Sequence, residues 1–160
     1  MFKYIIGIDP GLSGAVACLD VSTHDVTILD MPTYKGKTGK VVVNSMELLE
    51  ILEPPSSEPG SVFAVLEQVW ARPKEGVSSA FRFGRAYEAC VTSLAAHKYD
   101  VRDVTPPVWK KYFGLKSDKG LSRGLAIQRF PRQAALFKRV KDDGRAEAAL
   151  IALYGKEKLL

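Results

Sequence analysis

Cysteine, histidine and long apolar runs are all scarce in this chain of 160 residues. The two cysteines lie in separate apolar segments and the two histidines have no partner at ligand spacing, so the sequence predicts neither a disulfide framework nor a zinc site. No apolar run is long enough to span a bilayer, and no small-residue cleavage site follows the first one. We therefore expect a reducing, cytoplasmic environment and no membrane partner.

Acidic residues are scarce in one part of the chain, between residues 102 and 141. This segment has eleven Lys or Arg residues and two acids, whereas the whole chain has a formal charge of +5, so the remainder is net acidic. Such a basic block is typical of a surface that binds a polyanion, although a solvated surface without a ligand has the same composition. The candidate contacts in the block are Lys110, Lys111, Lys116, Lys119 and Arg123.

The apolar runs predict a single α/β domain over residues 1–160, without internal repeats. Three short runs separated by turn residues predict an antiparallel meander of strands 1 to 3, and two later runs next to helical patterns predict parallel strands 4 and 5. Together they give a mixed five-stranded sheet flanked by helices. The predicted strands lie within residues 3–20 (two strands), 25–31, 61–70 and 101–105, and the longer predicted helices cover residues 77–98, 117–130 and 143–158.

Two segments between strands 3 and 4 carry further expectations. Residues 33–40 contain lysine and glycine but no acid, which predicts a basic, mobile loop. Asn44 followed by Glu47 is typical of a helix start. That helix is expected to direct four apolar side chains toward the core, namely Met46, Leu49, Ile51 and Leu52.

Carboxylates end two of the predicted strands. Asp9 ends the first strand before a Pro-Gly turn, and Glu67 ends the fourth. Asp143 and Glu147 are four residues apart in the last helix, so their side chains share one face and repel each other, with no lysine at the spacing that would relieve them. Each feature also has a structural interpretation: Asp9 as a turn cap, and the acid pair as a favourable helix start.

Taken together, the four acids predict a metal site. Carboxylates without a neighbouring histidine or cysteine suit hard cations, so we expect two Mg²⁺ ions, with Mn²⁺ as a substitute, and no small-molecule cofactor. A pair of such ions can activate water and stabilise the leaving oxygen in phosphodiester hydrolysis, while the basic block contacts phosphates. The basic loop after strand 4 adds three candidate contacts, which are Trp70, Arg72 and Lys74; a buried Trp70 would instead belong to the core.

Five motifs, in order along the chain, resemble those of RuvC-type Holliday junction resolvases, which have an RNase H-like fold. They are IGIDPG at residues 6–11, LEQV at 66–69, SSAFRFG at 78–84, TPPVWK at 105–110 and DGRAEAALIA at 143–152. The resemblance implies a homodimer that nicks two strands of a four-way DNA junction. It implies metal-binding catalytic roles for the four acids, which are Asp9, Glu67, Asp143 and Glu147.

The resemblance also implies an aromatic wedge at Trp70 and phosphate contacts by Lys110 and Lys119. Two departures are present. The first is Glu147, which stands where bacterial members have Asp, and Asp142 beside Asp143 leaves the register of the acid pair open. The second is the basic segment after Lys110, which is shorter than in the family and leaves the sequence preference open. Both departures are similar to phage or viral members. A phage or viral origin would place the protein in the host cytoplasm.

Other functions remain open at this point. A broader endonuclease acting on flaps and forks would have the same acids, and a non-catalytic DNA-binding module would have the same fold without needing them. An ATPase of the actin or sugar-kinase type also begins with an acid and glycines after a strand, but it needs a second lobe that 160 residues do not provide.

Overall fold

The structure, a computed structural model, describes residues 1–53, 60–71, 74, 76–116 and 119–160, without the side chain of residue 119. The described residues form seven strands: β1 (Tyr4–Asp9), β2 (Ala15–Asp20), β3 (Val26–Asp30), β4 (Thr33–Lys35), β5 (Val41–Val43), β6 (Val62–Glu67) and β7 (Asp100–Val104).

Five of these strands form the main sheet, in the order β3-β2-β1-β6-β7. The first three are antiparallel neighbours, while β6 runs parallel to β1 and β7 parallel to β6. The predicted mixed five-stranded sheet is therefore confirmed. Because β1, β3, β6 and β7 all run in the same direction, their carboxyl ends meet at one edge, which we call the carboxyl edge.

The segment predicted as a mobile loop is instead a small hairpin. Strands β4 and β5 pair in antiparallel register, with Tyr34 opposite Val42. The turn between them is closed by backbone hydrogen bonds from Gly36 to Lys40 and from Gly39 to Gly36, and Gly39 has a φ of 76°. The prediction was wrong because the β-branched run at 41–43 supplies a partner strand for residues 33–35.

One face of the sheet is covered by α1 (Ser45–Ile51) and α2 (Val77–Ala96). The start of α1 is as predicted: the Asn44 side-chain oxygen accepts a hydrogen bond from the backbone nitrogen of Glu47 at 3.4 Å, and its amide donates to the Glu47 carboxylate at 3.1 Å. None of the helices in the described part of the chain is long and apolar enough to cross a membrane.

The buried side of α1 agrees with the prediction at Leu52 and, less deeply, at Ile51, but not at Met46. Leu48 and Leu52, four residues apart, are fully buried against the sheet, whereas Met46 is 68% exposed. One turn of helix separates the two buried leucines, so they share the inward face, and Met46 lies half a turn away.

The other face of the sheet is covered by α5 (Asp143–Tyr154), with α3 (Pro106–Tyr112), α4 (Lys119–Arg129) and short 3₁₀ turns around it. From Ala146 to Tyr154 every residue of α5 is buried, so this helix is the centre of its layer. A side-chain carbon at Gly7 of β1 would overlap the backbone of Ala148 and Ala152, which means that helix and strand touch backbone to backbone.

Replacing Gly7 with alanine should destabilise the protein by about 3 kcal/mol or more, because the added carbon meets rigid backbone and α5 has to move away from β1. Urea unfolding measures the loss. Gly124→Ala in α4, where the added carbon has open space, is the matched control and should stabilise by up to about 1 kcal/mol. Equal stability of the two variants would contradict the close contact.

Candidate active site

Two of the predicted acids lie side by side at the carboxyl edge. Ile8 of β1 pairs with Leu66 of β6, so Asp9 and Glu67 are the next residues on neighbouring parallel strands. By alternation Asp9 shares the face of Ile5, and Glu67 shares the face of Val65, and both of these apolar residues pack on the α5 side. Both carboxylates therefore lie on the face of the sheet that α5 covers.

The first turn of α5 lies over the turn that follows Asp9. A side-chain carbon at Gly144 would overlap the carbonyl oxygen of Ser13 and lie close to Gly14, so the backbones of α5 and the β1–β2 turn are in contact. Asp143 directly precedes this contact, and Glu147 follows one turn later. Glu67 is thus close enough to Asp9 and Glu147 for their charges to act on it, and Asp143 lies one turn before Glu147 on the same helix.

Asp9 also takes the structural role considered for it. Its Oδ1 accepts a hydrogen bond from the backbone nitrogen of Gly11 at 3.2 Å, which fixes the side chain over the turn. The turn cap and the convergence with the other acids hold at the same time, so the two interpretations are not exclusive.

Two carboxylates of the group are buried, Glu67 with 6% and Glu147 with 8% of the surface exposed. Burial, reinforced by the carboxylates of Asp9 and Glu147, raises the pKa of Glu67 to about 7. Trp109 of α3 is fully buried and donates from Nε1 to Glu67 Oε1 at 2.8 Å, which orients the carboxylate. Ionisation of Glu67 is therefore costly in this position, and a strongly shifted carboxyl beside other acids is a candidate for a functional group.

The expected unrelieved repulsion between Asp143 and Glu147 is not present. Lys110 Nζ lies 2.9 Å from Glu147 Oε1, and Arg123 Nε lies 2.7 Å from Asp143 Oδ1. The cations come from α3 and α4, so sequence spacing along α5 could not reveal them. The second pair is close but not well aligned, because both of its atoms are buried and neither makes a hydrogen bond.

Asp142, which left the register open, belongs to a different network. Its buried carboxylate accepts hydrogen bonds from the Arg139 backbone at 2.8 Å and from the Arg139 guanidinium, which holds its pKa below the usual range. Arg145 binds Asp30 of β3 through two contacts of 2.6 Å and reaches toward Asp142 at 3.8 Å. This network fastens the start of α5 to the sheet, so Asp143 is the acid that faces the site.

The donor set fits hard divalent cations. All four groups are carboxylates, and Asp143 Oδ1 is a buried oxygen without a hydrogen bond. In their present positions no three His, Cys, Asp or Glu side chains within the described ranges are arranged around one point. Glu147 and Asp143 are instead each paired with a cation, Lys110 and Arg123 respectively.

The predicted DNA contacts lie in different surroundings. Trp70 is 57% exposed, which excludes the core position considered for it, and Lys74, Lys111 and Lys116 are exposed as well. Arg123 lies within the acid site. Arg72 and the side chain of Lys119 lie outside the described residues. The DNA-binding roles of all eight residues stay predictions.

Sequence reasoning missed the residues that hold the acids in place. Trp109 precedes Lys110 in the TPPVWK motif and lies in a short helix. Because a buried tryptophan usually donates its indole N–H to a partner, this residue was a candidate for orienting a nearby acid. Arg139 pairs with Asp142 at a local spacing of three residues, whereas Arg145 carried no signal, because its partner Asp30 is known only once α5 is placed on the sheet.

The sheet order, with an antiparallel meander, two parallel strands and a central helix across them, defines an RNase H-like α/β fold. Thermus thermophilus RuvC in complex with a Holliday junction substrate is similar with a TM-score of 0.62 and 16% identity, over 97% of this chain and 96% of that chain. A second Thermus thermophilus RuvC structure has a TM-score of 0.57 and 17% identity, over 96% and 95%.

The sequence matches no family model and no curated protein. At these identities the structural similarity establishes the fold: the chain has the fold of RuvC along nearly its whole length, as the sequence motifs implied. The phage or viral origin stays a prediction.

The raised pKa of Glu67 predicts a pH-dependent difference between the wild type and Glu67→Gln. The folded protein keeps this proton up to about pH 7, whereas the unfolded chain releases it near 4.5, so the wild type loses stability as pH rises through this range. The variant has no such loss, and its stability relative to the wild type should rise by about 2–3 kcal/mol between pH 4 and pH 8.

Urea unfolding at the two pH values, with EDTA present, measures this difference. Glu50→Gln on the exposed side of α1 removes the same charge outside the site and serves as the control. A Glu67→Gln effect of the same size at both pH values would contradict the raised pKa.

Proposed function

We propose that this protein is a structure-specific DNA endonuclease that resolves four-way junctions by Mg²⁺-dependent hydrolysis and nicks paired strands as a homodimer. The observation that carries the proposal is the convergence of Asp9, Glu67 and the first turns of α5 at the carboxyl edge of a RuvC-like fold. One of the two similar RuvC structures contains a Holliday junction substrate, which supports branched DNA as the substrate class.

Each acid contributes in a way that follows from its position. Asp9 and Glu67 sit on rigid strands, and Trp109 fixes the orientation of Glu67, so these two provide a preorganised half of the site. Asp143 and Glu147 complete the set once they turn from their basic partners. Bound Mg²⁺ would supply water activation and stabilisation of the leaving oxygen. Mn²⁺ offers a similar preference for oxygen ligands.

The basic partners then become available to the substrate. Lys110 and Arg123 are held next to the acids in the absence of DNA, with side chains only about one-fifth to one-quarter exposed. If Asp143 and Glu147 held a metal ion, Lys110 and Arg123 would be released from them and could neutralise the charge of a bound phosphodiester. Exposed Lys111 and Lys116 are suited to contacts farther along the backbone.

Asp9→Asn should abolish Mg²⁺-dependent nicking of a four-way junction by at least about a thousandfold while leaving junction binding in Ca²⁺ within about threefold of wild type. The amide keeps the shape of the turn cap but is a poor ligand for a hard cation. Nicking assays and anisotropy titrations measure the two properties. Asp100→Asn, at the opposite edge of the sheet, is the control and should cleave normally. Unchanged nicking by Asp9→Asn would refute the site.

A substrate panel tests the junction assignment separately from the chemistry. A four-way junction, a Y fork, a flap and a linear duplex of the same sequence are compared with the wild type. We expect paired nicks in the junction and little cutting of the duplex. Equal cutting of forks and flaps would assign the broader branched-DNA activity, and equal cutting of linear duplex would remove the junction assignment.

Trp70→Ala should reduce junction cleavage by about tenfold or more, with little change in duplex binding or in melting temperature. The side chain is exposed beside the end of β6, where it can stack on an unpaired base. Trp70→Phe keeps a stacking surface and should restore most of the cleavage. A parallel loss of duplex binding and cleavage would contradict a role at unpaired bases.

A further inference from the structure

The hairpin of β4 and β5 carries a second concentration of positive charge that the block at 102–141 does not include. Between Asp30 and Glu47 the sequence has three lysines, Lys35, Lys37 and Lys40, and no acid. All three are exposed, and Tyr34 beside them is 52% exposed. Basic side chains with an exposed aromatic ring are the composition of a nucleic-acid surface.

The hairpin leaves the sheet at the carboxyl edge. It follows the end of β3, and the backbone nitrogen of Met31 donates to the carbonyl oxygen of Gly14 at 2.9 Å, in the turn that follows Asp9. Its far end returns to the same place, since the backbone nitrogen of Asn44 donates to Pro32 at 2.9 Å. Both ends of the hairpin are therefore anchored beside the acid site.

A hydrogen bond also connects the hairpin to the start of α2. Lys40 Nζ donates to Ser78 Oγ at 3.2 Å, at the start of α2, and Phe83 of the same helix lies about 4 Å from where a side chain at Gly11 would be. Within the described part of the chain, Lys35 and Lys37 have no ion-pair partner. Their charges are thus presented to solvent.

We propose that this hairpin is a second DNA-contact surface, in which Lys35 and Lys37 bind the phosphate backbone of a duplex arm next to the acid site. The inference rests on the proposed function for the identity of the nucleic acid. Lysine ammonium groups suit phosphates as point charges. A second copy of the same hairpin is a poor occupant of this surface, because two clusters of three lysines without an acid repel each other.

The test compares Lys35→Gln/Lys37→Gln with a matched control, Lys3→Gln/Lys98→Gln, which removes two exposed lysines at the opposite edge of the sheet. Binding of the full chain to a labelled four-way junction and to a linear duplex is measured in Ca²⁺ over a series of salt concentrations. Loss of two phosphate contacts should weaken binding by about tenfold at 0.1 M salt and make the log–log salt slope shallower by about 1.8.

The control pair should leave affinity and slope unchanged. Lys35→Arg/Lys37→Arg keeps both charges and should bind as the wild type does. Melting temperature and oligomeric state are recorded for each variant. An unchanged slope in the Gln pair overturns the inference, and so does a change of oligomeric state without a change of slope, which would assign the hairpin to a protein contact.

The outcomes separate this inference from the proposed function. If the wild type binds and nicks junctions but the hairpin variant matches it, only the hairpin inference fails. If the wild type binds and cuts linear duplex equally to the junction, the junction assignment fails, and a shallower slope on duplex still supports the hairpin surface. A wild type that binds neither DNA overturns both.

Discussion

The contact of the α5 backbone with β1 and with the turn after it is the constraint on which the site depends. Gly7 and Gly144 lie at the two ends of this contact, and in both cases a side-chain carbon would overlap backbone on the other element. Without the close approach, the acids of α5 would stand farther from Asp9 and Glu67 by the thickness of a side-chain layer. Two residues without side chains thus bring together carboxylates that are more than 130 positions apart in sequence.

The acids that this contact brings near one another are each paired with a cation or a hydrogen-bond donor. Four carboxylates in one place repel, and burial adds to the cost of ionising Glu67. The protein offsets this with cations on α3 and α4, Lys110 and Arg123, each against one acid of α5. The strand acids have other partners: the turn amide of Gly11 for Asp9 and the indole of Trp109 for Glu67. Each acid of α5 is thus paired with a cation from a neighbouring helix, while the strand acids also accept hydrogen bonds from neutral donors.

Local sequence patterns predicted the main sheet, its mixed topology and the cap of α1, because these depend on alternation, turn residues and spacing within a few positions. The same patterns predicted which acids end strands. They could not predict which cations pair with which acids. Arg123 and Arg145 are both basic residues on helices, yet Arg123 pairs with Asp143 and Arg145 pairs with Asp30 of β3. That distinction depends on how α5 and α4 pack, which no local spacing records.

The hairpin of β4 and β5 was also not predicted from local sequence patterns. Residues 33–40 have the lysine and glycine composition of a loop, and their partner strand is formed by the valines at 41–43. Neither segment predicts a strand when it is considered alone. Once β4 and β5 pair, the positions of the lysines are defined by the hairpin backbone, and this affects how their charges act on a ligand. A charge on a mobile loop is averaged over many positions and loses conformational freedom when it binds, whereas one fixed beside the acid edge loses little. Basic side chains beside a group of acids can attract a polyanion that the acids themselves would repel.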